Sequence, residues 1–170
     1  DLTETSWSIT QSGGALTVAG TTSLDAGPGG DITLNNVGND FNTVVISSGF
    51  DVTLVDANAI NLGNSTVSGN LDVNVGGLID FNGAGASTVA GTMGLTTTAD
   101  GITDSGAGSL AVTGVSTLAA GAANDITLNN TGNDFGTVVI TTANNVILAN
   151  SGALDLGAST VSGTLDVMAG

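Results

Sequence analysis

The chain of 170 residues contains no lysine, arginine, histidine, cysteine or tyrosine, and it has only one tryptophan and one proline. Its fifteen acidic residues therefore give a formal net charge of −15. Without positively charged side chains a protein cannot neutralise phosphate groups, so we expect no binding to nucleic acid and no attraction to anionic lipids. Without cysteine and histidine there is no ligand set for an ordinary zinc, haem or iron–sulfur centre.

Long apolar runs are also missing, although 41% of the residues are hydrophobic. No stretch reaches the roughly 18 apolar residues of a membrane-spanning helix, so we expect no insertion into a membrane. The hydrophobic content is high enough to form a core, which a disordered chain lacks. Glycine is abundant, with 27 residues, and this is typical of a fold with many tight turns.

The sequence contains an internal duplication. Residues 31–46 read DITLNNVGNDFNTVVI, and residues 125–140 read DITLNNTGNDFGTVVI, an offset of 94 residues. With one single-residue slip, the match extends until residues 1–76 correspond to 94–170, and residues 77–93 have no counterpart. A long repeat with a shorter period inside it indicates a solenoid.

The shorter period is about 20 residues. Asp-Ile-Thr-Leu at 31–34 returns as Asp-Val-Thr-Leu at 51–54 and as Leu-Asp-Val at 71–73. Apolar and polar residues alternate within these segments, which is typical of β-strands. Segments that recur in register predict a parallel β-helix, in which like residues stack on successive rungs. We therefore expect residues 1–170 to form a single right-handed β-helix (β-solenoid) domain, with about 20 residues and three short strands per rung.

The alternation also predicts which side chains point inward. An antiparallel sandwich or barrel would alternate in the same way, but neither repeats every 20 residues or so. The predicted apolar columns contain Leu16, Val18, Ile32, Leu34, Val52, Leu54, Val67, Val73, Val75, Val89, Leu110, Val112, Ile126, Leu128 and Val161, and we expect Phe41, Phe81 and Phe135 to stack or fill corners.

Carboxylates are the only charged side chains available for a metal site. Calcium prefers carboxylate and carbonyl oxygens, and GPGGDITL (27–34) and VGNDF (37–41) faintly resemble calcium-binding repeats. In the second copy GPGGD becomes GAAND, which weakens the resemblance. The alternative is that Asp and Asn side chains bond to nearby backbone groups. The candidate calcium ligands are Asp31, Asp51, Asp40 and Asp56, and we expect no other cofactor.

This composition offers little material for catalysis. Ser and Thr are plentiful, but no His or Lys can act as their base. A hydrolase could use paired aspartates such as Asp51 and Asp56, but the second copy has Asn145 and Asn150 at those positions. We therefore expect that the protein is not an enzyme, and a polysaccharide hydrolase is a distant alternative.

The strings DITLNNxGNDFxTVVI, LDLGASTVSGTLDV and ALTVAGTTSL resemble repeats of large secreted bacterial surface proteins. These are the filamentous-haemagglutinin-like adhesins and related β-strand-repeat exoproteins, and the resemblance covers nearly the whole chain. It implies a right-handed β-helix, export to the bacterial cell surface, and a role in adhesion, biofilm or matrix. It names no receptor, because such repeats are mostly stalk.

These observations predict a structural repeat segment of an extracellular fibrous or adhesin-type bacterial protein, acting as a stalk or a self-assembling filament unit. The alternative is a glycan- or host-surface-binding adhesin module, whose partners would be surface glycans or matrix. A β-helix without caps exposes unpaired backbone at both ends. We therefore expect head-to-tail stacking of copies, a contact that forms fibres when it does not close.

Overall fold

The computed structural model describes residues 7–170, and this part of the chain contains strands and turns but no helix. Accordingly, no helix long and apolar enough to cross a membrane is found within it. The part of the predicted duplication that falls on residues 1–6 lies outside the described residues. The strands are β1 (Ile9–Thr10), β2 (Thr17–Asp25), β3 (Ile32–Leu34), β4 (Asp40–Ser48), β5 (Val52–Asp56), β6 (Ile60–Leu62), β7 (Thr66–Val67), β8 (Leu71–Val75), β9 (Ile79–Phe81), β10 (Ser87–Val89), β11 (Met93–Thr97), β12 (Ile102–Thr103), β13 (Leu110–Ala119), β14 (Ile126–Leu128), β15 (Asp134–Thr142), β16 (Val146–Asn150), β17 (Asp155–Leu156) and β18 (Leu165–Ala169).

All strand pairs are parallel, and they form two sheets. The first sheet contains β1, β3, β5, β7, β8, β10, β11, β13, β15 and β17, and the second contains β2, β4, β6, β9, β12, β14, β16 and β18. In the first sheet, successive rungs place Ile9 beside Ile32, and then Val52, Leu71 and Met93. Like residues therefore stack on like, as the sequence period predicts.

About seven rungs of roughly 22 residues are stacked, which confirms the predicted parallel β-solenoid. One rung consists of β5, β6 and β7, and the next of β8, β9 and β10, so these rungs have the three short strands that were expected. In other rungs two of the three strands merge into one long strand. The long strand β13, for example, pairs with β10 through its first half and with β11 through its second half.

The predicted core is confirmed except in the end rungs. The predicted inward residues from Ile32 to Leu128 are buried, and the three predicted corner phenylalanines are also buried. Leu16, in contrast, is 41% exposed, and Val18 and Val161 are half-buried. These three positions have the correct periodicity, but each lies at an end of the described solenoid, where a neighbouring rung is present on one side only.

Corresponding segments of the duplication lie on different sheets. Ile32 belongs to β3 in the first sheet, whereas its counterpart Ile126 belongs to β14 in the second sheet. The strand pairing leads from Ile32 to Val52, Leu71, Met93 and Ser116, and each step advances by one rung. Ser116 is therefore four rungs from Ile32. Ile126 follows after a further partial rung. Corresponding residues of the two copies are therefore separated by four full rungs plus a fraction of a rung around the solenoid. For this reason each local motif occurs on two different sides of the solenoid.

Glycines line one corner, where the backbones of successive rungs come into contact. The N–H of Gly91 donates to the carbonyl of Gly69 at 2.8 Å, and the N–H of Gly114 donates to the carbonyl of Gly91 at 2.9 Å. A Cβ atom on Gly114 would lie 2.4 Å from that same carbonyl oxygen. Only glycine fits such an approach. We call Gly69, Gly91 and Gly114 the glycine column.

Candidate functional site

Next to the glycine column, polar side chains of three successive rungs each bond to the rung that follows. Oδ1 of Asp31 accepts the N–H of Asp51 at 3.3 Å. Oδ1 of Asp51 accepts the N–H of Asn70 at 2.8 Å and its Nδ2 at 3.0 Å. Oδ1 of Asn70 in turn accepts the N–H and the hydroxyl of Thr92, both at 2.9 Å. We call this series the polar ladder, and it satisfies backbone donors at a corner where the sheet pairing is interrupted.

The second copy repeats the polar ladder on the other side of the solenoid. Oδ1 of Asp125 accepts the N–H of Asn145 at 2.9 Å and the Nδ2 of Asn144 at 3.0 Å. Oδ1 of Asn145 accepts the N–H of Thr164 at 3.0 Å. The N–H bond from Asn145 and the two amide side chains lower the pKa of Asp125 below its usual value. Side-chain-to-backbone bonding therefore does occur at these aspartates, but the partner belongs to the next rung and not to the same turn.

The structure separates the four candidate calcium ligands into two pairs. The register brings Asp31 and Asp51 together on adjacent rungs, whereas Asp40 lies near Asp56 at another corner. Asp51 precedes β5 and Asp56 ends it, so these two are roughly 16 Å apart along the extended strand. The paired carboxylates of glycosidases are about 5–9.5 Å apart. Within residues 7–170 no group of three or more Asp or Glu side chains forms that could hold a metal ion, and calcium binding stays a prediction.

Asp56 is a buried carboxylate. It is only 2% exposed, and it accepts the N–H of Phe41 at 2.6 Å and the N–H of Asn58 at 2.8 Å. Burial raises the pKa of Asp56, and the charge of Asp40 adds to the increase, while the two N–H bonds act in the opposite direction. An ionised carboxylate at this position therefore opposes folding.

Asp56→Asn should stabilise the protein at pH 7. In the second copy Asn150 occupies the corresponding position and accepts the N–H of Phe135 at 2.6 Å without a buried charge. The pKa of Asp56 is raised above 3.8 in the folded state. The ionised carboxylate therefore lowers the free energy of unfolding at neutral pH, and this loss of stability disappears as the pH falls through the folded pKa. We expect the melting temperature to rise by about 2–4 °C at pH 7 and the gain to shrink towards pH 4. Thermal melts of both proteins from pH 7 to pH 4 measure this.

Asp125→Asn is the matched control for that experiment. The pKa of Asp125 is lowered, so its carboxylate supports folding above pH 3.8 and stops doing so only at lower pH. We therefore expect no stabilisation from Asp125→Asn at pH 7. A gain from Asp56→Asn that is absent at pH 7, or that is the same at every pH, would contradict the role assigned to the buried charge.

Two further buried aspartates were missed by the sequence interpretation. Asp80 is 7% exposed and accepts the N–H of Ser105 at 2.9 Å and its hydroxyl at 2.5 Å. Asp104 is 6% exposed and accepts the N–H of Asn130 at 3.0 Å. Gln11 takes the place of Asp104 in the first copy. For Asp104 the recurring NNxGND motif was the available signal, because the backbone of its turn needs a polar group on the preceding rung. Asp80 bonds Ser105 outside that motif, and no sequence signal identifies it.

Both ends of the described solenoid expose core positions. Leu156 is 39% exposed, whereas its counterpart Leu62 is 1% exposed. Leu16 is 41% exposed, whereas its counterpart Leu110 is 1% exposed. We call the surface formed by β17, β18 and Val161 the C-terminal face, and the surface formed by β1, β2 and Gly13 the N-terminal face. At both faces a neighbouring rung of the described residues is present on one side only.

Two exposed aromatic side chains lie at one corner. Trp7 is 76% exposed and Phe50 is 43% exposed. Gly30 lies between them in the stack. Its carbonyl accepts the N–H of Phe50 at 2.7 Å, and a Cβ atom added to Gly30 would lie 2.9 Å from the carbonyl oxygen of Trp7. The Trp7 side chain is therefore largely exposed to solvent and is not part of the buried core. Binding of surface glycans, which exposed aromatic rings would favour, stays a prediction.

Comparison with known families gives one match. The model of a family described as repeats of unknown function (DUF5649) matches residues 1–48, 49–93, 79–142 and 143–170. The matched segments together span the whole chain, so the repetition extends from one end to the other. Neither a curated protein nor a solved structure matches the chain.

Proposed function

The chain belongs to the family of DUF5649 repeats, and from this premise we propose that it is a structural segment of an extracellular bacterial fibre or adhesin, acting as a rigid stalk. The observation that carries the proposal is the continuity of the stack. Buried apolar columns run from Ile32 to Leu148, and the polar ladder and the glycine column join successive rungs at the corners. In a solenoid of this kind each rung contacts only its neighbours, so adding rungs adds length without changing the cross-section.

The composition supports an exposed, extracellular location. The chain has no lysine or arginine, so it offers no cleavage site to trypsin-like proteases. A net charge of −15 keeps neighbouring molecules apart and soluble. The outward residues of the strands are small and polar in the main, such as Thr33 and Thr53 in stacked positions, and such a surface suits a spacer.

A stalk should remain intact where a loosely folded protein is digested. We expect the purified chain to resist proteinase K at 37 °C for hours, because cleavage of a backbone that is paired on both sides requires local unfolding. Antibodies raised against the chain should also label intact, unpermeabilised cells of the organism that makes it. Rapid digestion throughout the rungs would argue against a rigid stalk, and labelling that appears only after permeabilisation would argue against the extracellular location.

A further inference from the structure

We propose that Asp100 is a site of covalent modification in the folded protein. Its side chain and the amide nitrogen of Gly101 close to a succinimide ring, and this ring opens in water to isoaspartate. The reaction needs only these two residues and water, so it occurs whether or not the protein is a stalk.

The two reacting groups are already in contact. Asp100 and Gly101 lie at the corner between β11 and β12, and the N–H of Gly101 donates to Oδ1 of Asp100 at 2.8 Å. Because Cγ is bonded directly to that oxygen, the nitrogen and the carbon that it must attack are held near the separation of about 3–3.5 Å at which such reactions begin. The Asp100 side chain is exposed, so water can reach the ring.

The reaction balances with water alone. The Gly101 nitrogen attacks Cγ of the protonated Asp100 carboxyl group, and a C–N bond forms. The C–O bond to the carboxyl hydroxyl breaks, and this hydroxyl leaves as water with the amide proton of Gly101. Water then adds to one of the two ring carbonyls. Addition at Cγ restores aspartate, whereas addition at the main-chain carbonyl leaves isoaspartate, in which the main chain runs through Cβ and Cγ.

At other aspartates the following nitrogen is held in the pairing between rungs. Asp51 is followed by Val52, whose N–H donates to a carbonyl of the next rung at 2.8 Å. Asp125 is followed by Ile126, whose N–H does the same at 2.9 Å. A nitrogen bonded in this way cannot turn towards the preceding side chain, and the stiff branched side chains of Val and Ile crowd its approach. The N–H of Gly101 is instead directed at the preceding carboxylate.

The packing of the rungs requires the glycine at this corner. A Cβ atom on Gly101 would lie 2.5 Å from the carbonyl oxygen of Asp125 on the next rung, so a larger residue would push the two rungs apart. Asp100–Gly101 is also the single Asp–Gly pair in the sequence. The residue that hinders ring closure least is therefore the residue that the fold demands, and a bulkier residue cannot protect Asp100.

Isoaspartate should loosen this corner. The carbonyl of Gly101 accepts the N–H of Ile79 at 3.2 Å. The carbonyl of Asp125 accepts the N–H of Ile102 at 3.1 Å. Isoaspartate adds one atom to the main chain just before Gly101, so these two bonds cannot both keep their geometry. We expect proteinase K to cut the modified protein faster than the fresh protein around residues 98–101, because cleavage follows local opening.

The experiment incubates the folded protein in ¹⁸O-water at 37 °C and pH 6. Ring opening takes one oxygen atom from water, so each cycle leaves ¹⁸O in the residue. The chain has no lysine or arginine for trypsin, so the product is unfolded and digested with a protease that cuts before aspartate but not before isoaspartate. Mass spectrometry of the fragments should show about ten-fold or more ¹⁸O at Asp100 than at Asp125, and a growing loss of the cut before Asp100.

Asp100→Glu is the matched variant. It keeps the charge at an exposed position, but its longer side chain would have to close a six-membered ring, which forms far more slowly, so we expect no ¹⁸O at residue 100. Asn82 is the positive control in the same molecule, because Asn82–Gly83 is the single Asn–Gly pair and an amide side chain loses ammonia more readily than a carboxyl group loses water. Incubation continues until Asn82 is labelled.

The absence of ¹⁸O at Asp100 at that point would overturn the inference, and so would equal labelling of Asp100 and Asp125. Labelling of residue 100 in Asp100→Glu would also overturn it, because the oxygen would then enter by a route other than the ring. If ¹⁸O appears at Asp100 but the cut before it is never lost, the ring forms without giving isoaspartate, and the assigned product is wrong. Resistance of the fresh protein to proteinase K tests the stalk proposal separately.

Discussion

Gly114→Ala is expected to destabilise the protein by about 3 kcal/mol or more, whereas the same substitution at its counterpart, Gly20→Ala, should leave stability unchanged or raise it by about 0.4–1 kcal/mol. A Cβ atom added to Gly114 would lie 2.4 Å from the carbonyl oxygen of Gly91 and 2.7 Å from its carbonyl carbon. Both are backbone atoms held by the inter-rung hydrogen bond, so neither can move without separating the rungs. At Gly20 the substitution meets no atom of the described chain.

Urea unfolding of the two variants, followed by circular dichroism, compares them directly. The two positions have closely similar local sequences, Val-Ala-Gly at 18–20 and Val-Thr-Gly at 112–114. Among the described residues, the main difference between them is that a neighbouring rung contacts Gly114 and none contacts Gly20. Equal losses at both positions would show that glycine is needed for its own backbone conformation and not for the approach of the neighbouring rung. Measurements at low protein concentration keep any stacking of copies out of the comparison.

Leu54→Asp is expected to cost about 3–5 kcal/mol, the penalty for an unpaired charge in a protein interior. Leu54 is fully buried and stacks between Leu34 and Val73 on the adjacent rungs. No positively charged side chain exists in the sequence to pair with the new carboxylate. We expect the melting temperature to fall by about 10 °C or more, or the protein not to fold at pH 7.

Thr33→Asp is the matched control for Leu54→Asp. Thr33 is half-buried on the outward side of β3, and it stacks between Thr10 and Thr53, so the new charge has water on one side and no charged neighbour directly above or below. We expect a change within about 0.5 kcal/mol, measured by the same thermal melts. If both variants lose the same stability, the inward and outward assignment of these strands is wrong.

Local patterns account for much of what could be predicted. The alternation in Ile32-Thr33-Leu34 and Val52-Thr53-Leu54 defines one inward face for a strand, since successive side chains point to opposite sides. The return of the motif 20 residues later defines which strand lies beside which. Both properties are short-range or periodic, so they can be read without coordinates. The same reasoning was right for strands in the middle of the chain. It was wrong for Leu16, which is exposed, and Val18 and Val161 are only half-buried, because in these end rungs a neighbouring rung of the described residues lies on one side only.

The candidate site was predicted less well than the fold. The sequence grouped Asp31, Asp40, Asp51 and Asp56 because each is an oxygen ligand near a turn, but strand β5 holds Asp51 and Asp56 at opposite ends. Burial also differs sharply between them: Asp56 is 2% exposed, whereas Asp51 is half-exposed. Residue type and spacing do not reveal burial at a corner, because it depends on which neighbouring rung closes over the side chain.

The sequence by itself therefore determined the strands, their inward faces and the stacking of like on like, because these follow from periods of two and about twenty residues. Only the tertiary structure decided that the corresponding strands β3 and β14 lie in different sheets, because the 94-residue offset is not a whole number of rungs. It also decided which polar groups are buried and which glycines are required. Those properties depend on the distance between rungs. At Gly20 and Gly114 the same residue stands in a similar local sequence, but an added Cβ would meet no atom of residues 7–170 in the first case and a backbone carbonyl in the second.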